Sequence, residues 1–386
     1  MRLLHTSDWH LGKVLKGIDR LPEQRTVMAE IVEIAGDEGV DLVVVAGDVF
    51  ESAAPPPEAQ QLAFETLLAL RATGADVVVI AGNHDNGDAF EAVRPVFGAA
   101  GIAVLGRACL PDAGGVLTLP AARTGEPVQV ALLPFTSQRG IVRAADLFTV
   151  NASTANDRYA ERMARIVARL AAGFDGSTVN VLVVHGTVTG ARFGGGEREA
   201  QSIFDYHVPA AIFPITGSYV ALGHLHRTQE VPARCPAWYS GSPIAVDFGE
   251  EAASPSVLMV DAAPGRPARV RRIELRQPRR LRTLSGTTAE LAAAASGVGD
   301  ALVRVVVTEP ARSGLGDEVR ALLPNAIDIQ VASPAAGSEA DRPSRRAGRS
   351  TVDLFHDYLA ERNIADPAVE ALFAELLDGA ASSGGG

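Results

Sequence analysis

Five short apolar stretches of this chain each end in Asp, Asn or His, which are residue types that bind metal ions. The stretches run into Asp8-Trp9-His10, Gly47-Asp48, Gly82-Asn83-His84-Asp85, His185 and Gly223-His224-Leu225-His226. Mixed oxygen and imidazole donors suit Mn, Fe or Zn better than Mg or Ca. The candidates are too many for one ion, so the pattern predicts two divalent metal ions. Two adjacent ions stabilise both the attacking and the leaving oxygen of a phosphoryl displacement.

The elements that must position these side chains alternate between strand and helix over residues 1–105. Leu42–Ala46 is a short β-branched run between polar residues, which is typical of a buried strand in a parallel sheet. Helical spacing of apolar residues follows each of the first three runs, which gives the order βαβαβ and predicts a mainly parallel sheet with right-handed crossovers. Ligands of open α/β sheets bind outside the carboxyl ends of the strands, so the motif residues can converge there.

The middle and the end of the chain add further elements. Apolar runs predict strands near residues 128–133, 179–184, 219–223, 257–260 and 268–275, and a helix over 155–172. We therefore expect a second sheet packed against the first, that is, an α/β fold of two packed mixed β-sheets flanked by helices.

Shifts in composition divide the chain into predicted units. All motifs lie within residues 1–276, and residues 277–332 have the pattern of a small α/β unit without motif residues. Residues 333–350 have the Pro, Gly, Ser and Arg content of a flexible linker. Residues 351–379 carry two short amphipathic helices, and the Gly-rich tail 380–386 is expected to be disordered.

The overall composition argues against several classes of protein. The formal net charge is −11, whereas a module that binds nucleic acid on its own is usually basic. Cys109 and Cys235 lie far apart and suggest neither a disulfide framework nor a cysteine zinc site, so a cytoplasmic compartment is expected. The first residues show no long apolar region before a small-residue cleavage site, so no signal peptide is expected. No apolar run reaches about 20 residues, so no membrane association is expected.

The five motifs, in this order, resemble those of the calcineurin-like metallophosphoesterases. Four segments are similar, more narrowly, to the SbcD-type nuclease subunits of that superfamily: His5–Gly12, Val45–Phe50, Ala221–Arg227 and Tyr239–Pro243. The similarity runs through about residue 276 and is weaker beyond it. It implies the metallophosphoesterase fold for residues 1–276, with residues 277–332 as a capping domain.

The resemblance also implies a role for each motif residue. One metal would be held by Asp8, His10, Asp48 and His226, and the second by Asp48, Asn83, His185 and His224, with Asp48 bridging the two. His84 would contact the scissile phosphate and assist the leaving oxygen, and Asp85 would orient His84. Manganese is the metal that the family implies, although the ligand chemistry alone also allows iron or zinc.

The activity that the resemblance implies is that of a nuclease in DNA repair, recombination and replication. With an SbcC-type, SMC-like ATPase it would be an ATP-dependent 3′–5′ double-strand exonuclease and a single-strand or hairpin endonuclease, in the cytoplasm at the nucleoid. The chain would form a homodimer within a heterotetramer, and residues 351–379 would bind the root of the ATPase coiled coil.

Two other functions fit parts of the sequence. A phosphodiesterase for small substrates such as cyclic nucleotides would need neither the capping unit nor the terminal helices. A non-catalytic adaptor of the ATPase would need neither His84 nor a full set of metal ligands.

Four segments have both a functional and an ordinary structural interpretation. Trp9 either stacks on a base or packs beside the site, and packing is favoured. The loop Gly194–Gly196 either admits substrate or is simply flexible. The arginine-rich stretch Arg266–Arg282 either faces DNA or forms a solvated strand face. The terminal helices either pack on their own domain or dock on a partner, which their position after a linker favours.

Overall fold

The computed structural model of the chain describes residues 1–137, 159–194 and 207–332, together with the helical residues Phe355, Leu359, Val369, Leu372 and Phe373. Strands and helices are numbered in chain order. The first of two six-stranded sheets contains, in order across the sheet, β16 (Arg269–Glu274), β15 (Ser256–Asp261), β1 (Arg2–Thr6), β4 (Leu42–Ala46), β5 (Asp76–Ile80) and β6 (Ile102–Leu105).

The centre of the first sheet is parallel, as predicted. Strands β1, β4, β5 and β6 pair in parallel, whereas β15 pairs antiparallel with β1 and β16 antiparallel with β15. Three helices connect the parallel strands: α1 (Leu21–Asp37), α2 (Pro57–Ala72) and α3 (Gly87–Ala99). Val43 and Val45 belong to the core cluster that contains these helices, and Leu42, Val44 and Ala46 to the cluster between the sheets. This two-sided burial explains the uninterrupted apolar run.

The second sheet packs against the first through that shared cluster. Its strands are, in order, β13 (Gln229–Val231), β14 (Ala237–Tyr239), β12 (Tyr219–Gly223), β9 (Val179–His185), β8 (Pro127–Leu133) and β7 (Val116–Pro120). Helix α4 (Tyr159–Leu170), within the predicted helix 155–172, covers its outer face with Met163, Ile166, Val167 and Leu170. Each such side chain stabilises the fold by about 1.5–3 kcal/mol relative to full exposure.

A small parallel sheet follows the main body. It consists of β17 (Leu281–Gly286), β18 (Leu302–Val307) and β19 (Ala326–Val331), with α5 (Thr288–Ala294) and α6 (Leu315–Leu322) packed on it. Thr287 and Glu290 form a reciprocal capping box at the start of α5. A separate apolar cluster joins this sheet to the main body through Leu15, Ala245, Phe248, Leu281 and Leu302.

Short elements complete the described part of the chain. Two-residue strands form the ribbons β2 (Val14–Leu15) with β3 (Ile18–Asp19), and β10 (Thr187–Val188) with β11 (His207–Val208). Single 3-10 turns lie at Pro111–Ala113, Ala171–Gly173, Ala210–Ile212, Phe248–Glu250 and Ala295–Gly297. None of the described helices combines the length and apolar character needed to cross a membrane.

The two packed mixed sheets confirm the predicted fold class, but the sequence did not show every strand. The late strands β15 and β16 join the first sheet, and β7, β13, β14 and β17 were not predicted. The division at residues 276 and 332 stays a prediction. The linker 333–350, the tail 380–386 and all but five residues of 351–379 lie outside the described residues, as does the loop 194–196 beyond Gly194.

Candidate metal centre

The predicted site residues meet at the carboxyl ends of strands from both sheets. Asp8 and His10 follow β1, Asp48 follows β4, and Asn83 follows β5 in the first sheet. His185 ends β9, and His224 and His226 follow β12 in the second sheet. None of these residues, nor His84 or Asp85 beside them, is more than 7% exposed. The packing of the two sheets therefore brings together motifs that are far apart in sequence.

The ligand atoms form two groups that share no residue, and a third close set, His10, Asp48 and His84, takes one residue from each. In the first group, Asp8, His10 and His226 have ligand atoms within 4.8 Å of one another, and the Nε2 atoms of the two histidines are 3.1 Å apart. In the second group, Asp48, His185 and His224 lie equally close. The Oδ1 atom of Asn83 is 2.8 Å from both His185 Nε2 and His224 Nδ1, which adds a fourth donor.

Asp48 lies between the two groups. Its Oδ2 atom is 3.4 Å from His185 Nε2 and 3.9 Å from His10 Nε2, and its Oδ1 atom accepts a hydrogen bond from the backbone N–H of His84. A second link joins the groups, because the backbone N–H of His224 donates to Asp8 Oδ1 at 2.9 Å. One carboxylate is therefore close to both groups, and its role as a bridging ligand stays a prediction.

The backbone is strained at four of the candidate ligands. Asp8, His10, Asp48 and His224 have φ values of 53°, 47°, 50° and 107°. Positive φ is uncommon for residues other than glycine and costs about 1–3 kcal/mol at each position. Within the ranges that the structure describes, the only other such residue is Lys16, at a ribbon turn. The concentration of strain here is typical of a functional site.

Two motif glycines are required by close packing. A Cβ atom on Gly47 would overlap the ring of His185, and one on Gly82 would overlap the carboxylate of Asp48. Gly47 also has a φ of 93°, which favours glycine. The glycines before Asp48 and Asn83 therefore let two loops approach closely enough to share a site.

Burial and neighbouring charges shift the pKa values of several candidate ligands. Burial raises the pKa of Asp8 to about 6. Burial would also raise the pKa of Asp48, but the neighbouring His185, His84 and His10 hold it well below its usual range. Burial opposes the protonation of His185, yet the carboxylates of Asp48 and Asp8 raise its pKa to about 9.

The donor set itself is the test of whether metal ions fit. Among the ion pairs and hydrogen bonds of the described residues, neither Asp8 nor Asp48 has a lysine or arginine partner, although both are buried. A buried carboxylate is costly unless a cation compensates it. The carboxylate oxygens, the Asn83 amide oxygen and the imidazole nitrogens supply the donors that first-row metal ions prefer. The fold and these clusters are compatible with two divalent metal ions.

Outer contacts orient the candidate ligands in different ways. Glu51 Oε2 lies 3.0 Å from His10 Nδ1, and Glu250 Oε1 lies 2.7 Å from His226 Nδ1. His185 Nδ1 instead contacts the backbone oxygen of Ala46 at 2.8 Å. The contacts of His226 and His185 are hydrogen bonds, which fix the ring nitrogen that carries the proton and leave the other nitrogen to bind a metal. The Glu51 and His10 atoms are close but form no hydrogen bond. Sequence reasoning missed the roles of both glutamates. Glu51 ends a motif and could have been noticed, whereas no spacing signal marks Glu250.

The segment Tyr239–Pro243, which supported the resemblance, contacts the site directly. Ser240 Oγ is 2.7 Å from Ser7 Oγ, and Ser7 in turn donates to the carboxylate of Asp8. Ser242 Oγ donates to the backbone oxygen of Asp8 at 2.7 Å. Ser242 therefore holds the strained backbone at Asp8, and Ser240 holds the Ser7 hydroxyl that faces the Asp8 carboxylate. Sequence reasoning did not assign these roles.

His84 and Asp85 flank the two groups, but the contact predicted between them is different in the structure. The His84 Nδ1 atom lies 2.8 Å from the backbone oxygen of Glu51. Both oxygens of Asp85 accept backbone N–H groups, from Gly82, Val49 and Phe50. The prediction that Asp85 orients His84 is therefore corrected, since Asp85 ties together the loops that carry Asp48 and Asn83. Its catalytic assignment stays a prediction.

Trp9 packs beside the site, which is the favoured interpretation of this residue. Its side chain is fully buried, and Nε1 donates to Thr6 Oγ1 at 2.9 Å. A ring in this position cannot stack on a nucleic-acid base.

Comparison with known proteins agrees with this geometry. The model of the calcineurin-like phosphoesterase family matches residues 1–228. A relative from Bacillus subtilis (strain 168), named as the SbcD subunit of the SbcCD nuclease, is 38% identical over 271 residues, which cover 69% of this chain and 68% of the relative. Proteins of the same name from Rhodobacter capsulatus and Escherichia coli (strain K12) are 36% and 29% identical, over 72% and 76% of this chain and 70% and 73% of theirs.

Proposed function

The chain belongs to the calcineurin-like phosphoesterase family and, within it, to the SbcD nuclease subunits, and we propose that it hydrolyses DNA phosphodiester bonds with two divalent metal ions. One observation carries the proposal: Asp48 lies between two buried ligand groups and accepts a hydrogen bond from the backbone N–H of His84. A site with two ions and an adjacent imidazole suits in-line displacement at phosphorus.

Each group of residues has a part in the proposed reaction. Asp8, His10, Asp48 and His226 would hold one ion, and Asp48, Asn83, His185 and His224 the other. When bound, the ions would lower the pKa of a water molecule and neutralise charge on the phosphate. The Nδ1–H group of His84 donates to the Glu51 backbone oxygen, which directs Nε2 outward. From Nε2 the protonated, imidazolium form of His84 would donate a proton to the leaving oxygen. We propose manganese as the ion.

We propose an SbcC-type ATPase as the partner, with a homodimer of this chain inside a heterotetramer at the nucleoid. Residues 351–379 would bind the coiled-coil root of the ATPase. In that segment the rings of Phe355 and Phe373 stack with centroids 3.7 Å apart, which supports two helices that pack on each other. ATP dependence, 3′–5′ polarity and hairpin opening belong to this proposal as well.

Contact between DNA and the stretch Arg266–Arg282 is supported only in part. Arg271 pairs with Glu38, and Arg272 donates to Ser254 and Ser256. Arg279 and Arg282 donate to backbone oxygens of the small sheet's connections. These four arginines have roles in the fold, so the remaining four are the better candidates for DNA contact: Arg266, Arg269, Arg276 and Arg280.

The test is manganese-dependent cleavage of a linear DNA duplex by the intact chain and by His84→Ala, with and without the ATPase and ATP. We expect cleavage by the intact chain and a loss of about 10²–10⁴-fold in the variant, because a general acid is removed. The metal content of the two proteins should be equal, because His84 is not among the proposed ligands.

Other outcomes select among the rival functions. Equal cleavage by both proteins would contradict the role of His84. Hydrolysis of cyclic nucleotides without cleavage of DNA would favour a small-substrate phosphodiesterase. The adaptor function would be favoured if no cleavage occurs under any condition while removal of residues 351–386 abolishes binding to the ATPase.

A further inference from the structure

A single 3-10 turn, Phe248–Glu250, lies between the metal-ligand groups and the small parallel sheet. Asp247 caps this turn by accepting a hydrogen bond from the backbone N–H of Gly249 at 2.8 Å. Two side chains of the turn have contacts on different sides. Glu250 contacts the candidate ligand His226, and Phe248 belongs to the apolar cluster shared with the small sheet. The turn therefore links the first ligand group to the small sheet through described contacts.

On the side of the site, Glu250 has two contacts that fix its carboxylate. Oε1 lies 2.7 Å from His226 Nδ1, and Oε2 accepts the backbone N–H of Val246 at 2.9 Å. The Glu250 side chain is only 2% exposed, so water cannot replace these partners. A carboxylate can only accept, so Nδ1 must carry the proton and Nε2 must present a lone pair. That lone pair is directed toward His10 and the first ligand group.

On the other side, Phe248 is held by residues of the small sheet. It is 4% exposed and lies in a cluster with Leu281 and Leu302. The guanidinium of Arg304 lies 4.3 Å from the centroid of the Phe248 ring, and Asp328 fixes that guanidinium by an ion pair of 3.0 Å. Glu251, directly after the turn, accepts the backbone N–H of Thr283 at 2.9 Å.

We propose that Glu250 is a positioning residue that sets the tautomer and direction of His226 for metal binding, and that the small sheet holds Glu250 in place through Phe248. This inference rests on the proposed function, because it assumes that His226 is a metal ligand. It gives the small sheet a direct effect on the affinity of one ion, in addition to any contact with DNA or a partner.

The first test uses Glu250→Gln in the full chain, with Glu230→Gln as an exposed control on β13. The amide can donate as well as accept, so it no longer selects one tautomer of His226. Nitrogen-15 NMR of histidine-labelled, metal-free protein should show His226 protonated at Nδ1 in the wild type and in Glu230→Gln, and mixed tautomers in Glu250→Gln. Titration calorimetry with Mn²⁺ should show one ion bound about 10–100-fold more weakly in Glu250→Gln, with the other ion unchanged.

Two results would overturn the role of Glu250. One is a wild-type His226 protonated at Nε2 alone, and the other is wild-type affinity for both ions in a folded Glu250→Gln variant. If Glu250→Gln does not fold, Glu250→Asp replaces it, because the shorter side chain keeps the charge but withdraws from Nδ1. The wild-type NMR measurement decides the tautomer in either case.

The second test asks whether the small sheet holds Glu250 in place through Phe248. Phe248→Leu keeps an apolar side chain but removes the ring that contacts Arg304, so we expect weaker Mn²⁺ binding than in the wild type and a smaller loss than in Glu250→Gln. Val319→Ala is the matched control, because it trims the separate core cluster of the small unit without touching Phe248. Equal effects of Phe248→Leu and Val319→Ala on Mn²⁺ affinity would refute this role of the small sheet. No effect from Phe248→Leu would refute it as well.

These measurements can be separated from the proposed function. A chain that binds two Mn²⁺ ions and responds to Glu250→Gln, but never cleaves DNA, would support the positioning role and contradict the nuclease. If the wild type cleaves DNA and Glu250→Gln changes neither the His226 tautomer nor the Mn²⁺ affinity, the nuclease would be supported and the positioning role contradicted.

Discussion

The two ligand groups of the site are built in different ways. In the group of Asp8, His10 and His226, both imidazoles are backed by carboxylates, Glu51 and Glu250, which come from irregular segments. In the group around Asn83, His185 and His224, the contact behind His185 is the backbone oxygen of Ala46, at the end of a central strand. The first group depends on side chains that can be exchanged one at a time, and the second on the sheets themselves.

This difference indicates which substitutions should change the affinity of each group for its metal ion. A carboxylate behind an imidazole adds negative charge and raises the basicity of the ligand, whereas a backbone carbonyl is neutral. Substitutions beyond the ligands should therefore change the affinity of the first ion more than that of the second. Changes in the sheet core should act on stability and leave both affinities unchanged.

The largest effect is expected where the two groups overlap. Asp48→Asn removes the one charge that both groups share while nearly preserving the shape of the side chain. We expect both ions to bind weakly and DNA cleavage to fall by about 10³-fold or more, the upper end of what one electrostatic stabiliser contributes. Calorimetry with Mn²⁺ and a cleavage assay on the same preparation measure the two effects. If one ion still bound with wild-type affinity, Asp48 would belong to one group only.

A smaller effect is expected from Glu51, which is the outer carboxylate of His10. Glu51 is 30% exposed and also pairs with Lys13, so water can replace part of its contact after substitution. Glu51→Gln should lower the affinity for one ion by about 10-fold, which is the lower end of the effect of residues that contact a metal ligand. Mn²⁺ titration would show this, with Glu230→Gln as the unchanged reference. A loss larger than that of Glu250→Gln would reverse the proposed order.

The smallest effect on metal binding is expected in the core between the sheets. Tyr219 OH lies 2.9 Å from His5 Nδ1, and both side chains are fully buried. Tyr219→Phe leaves that nitrogen without this partner, which should lower the free energy of unfolding by about 1–3 kcal/mol. Denaturant unfolding of the metal-free chain measures this, and Mn²⁺ affinity should not change. Altered affinity with unaltered stability would mean that the sheet core also tunes the ligands.

Much of this site was predictable because its ligands directly follow strands. The runs before Asp8, Asp48, Asn83, His185 and His224 are short and mostly apolar, so strand and candidate ligand were visible together. The role of Glu250 was not predictable, because its contact with His226 depends on the position of a turn. That position depends on packing between the main body and the small sheet. The positive φ values at Asp8, His10, Asp48 and His224 were also hidden, since nothing in a non-glycine residue marks them.

The fold was predicted less completely at its edges. Strands β13 and β14 have three residues each, too few for a periodic pattern. Strand β15 belongs to the first sheet through its long-range pairing with β1, and β16 follows by pairing with β15. Local sequence cannot show that long-range pairing. The contacts of Asp85 were mispredicted because three backbone N–H groups compete for its oxygens, and backbone positions depend on the tertiary fold.

The number and coupling of bound ions test the central claim most directly. Calorimetry and electron paramagnetic resonance of the intact chain with Mn²⁺ would measure both. With Asp48 bridging two adjacent groups, we expect two ions per chain and the spectrum of an exchange-coupled pair, which Asp48→Asn should abolish. A single ion per chain, or two ions without magnetic coupling, would contradict the shared two-metal centre.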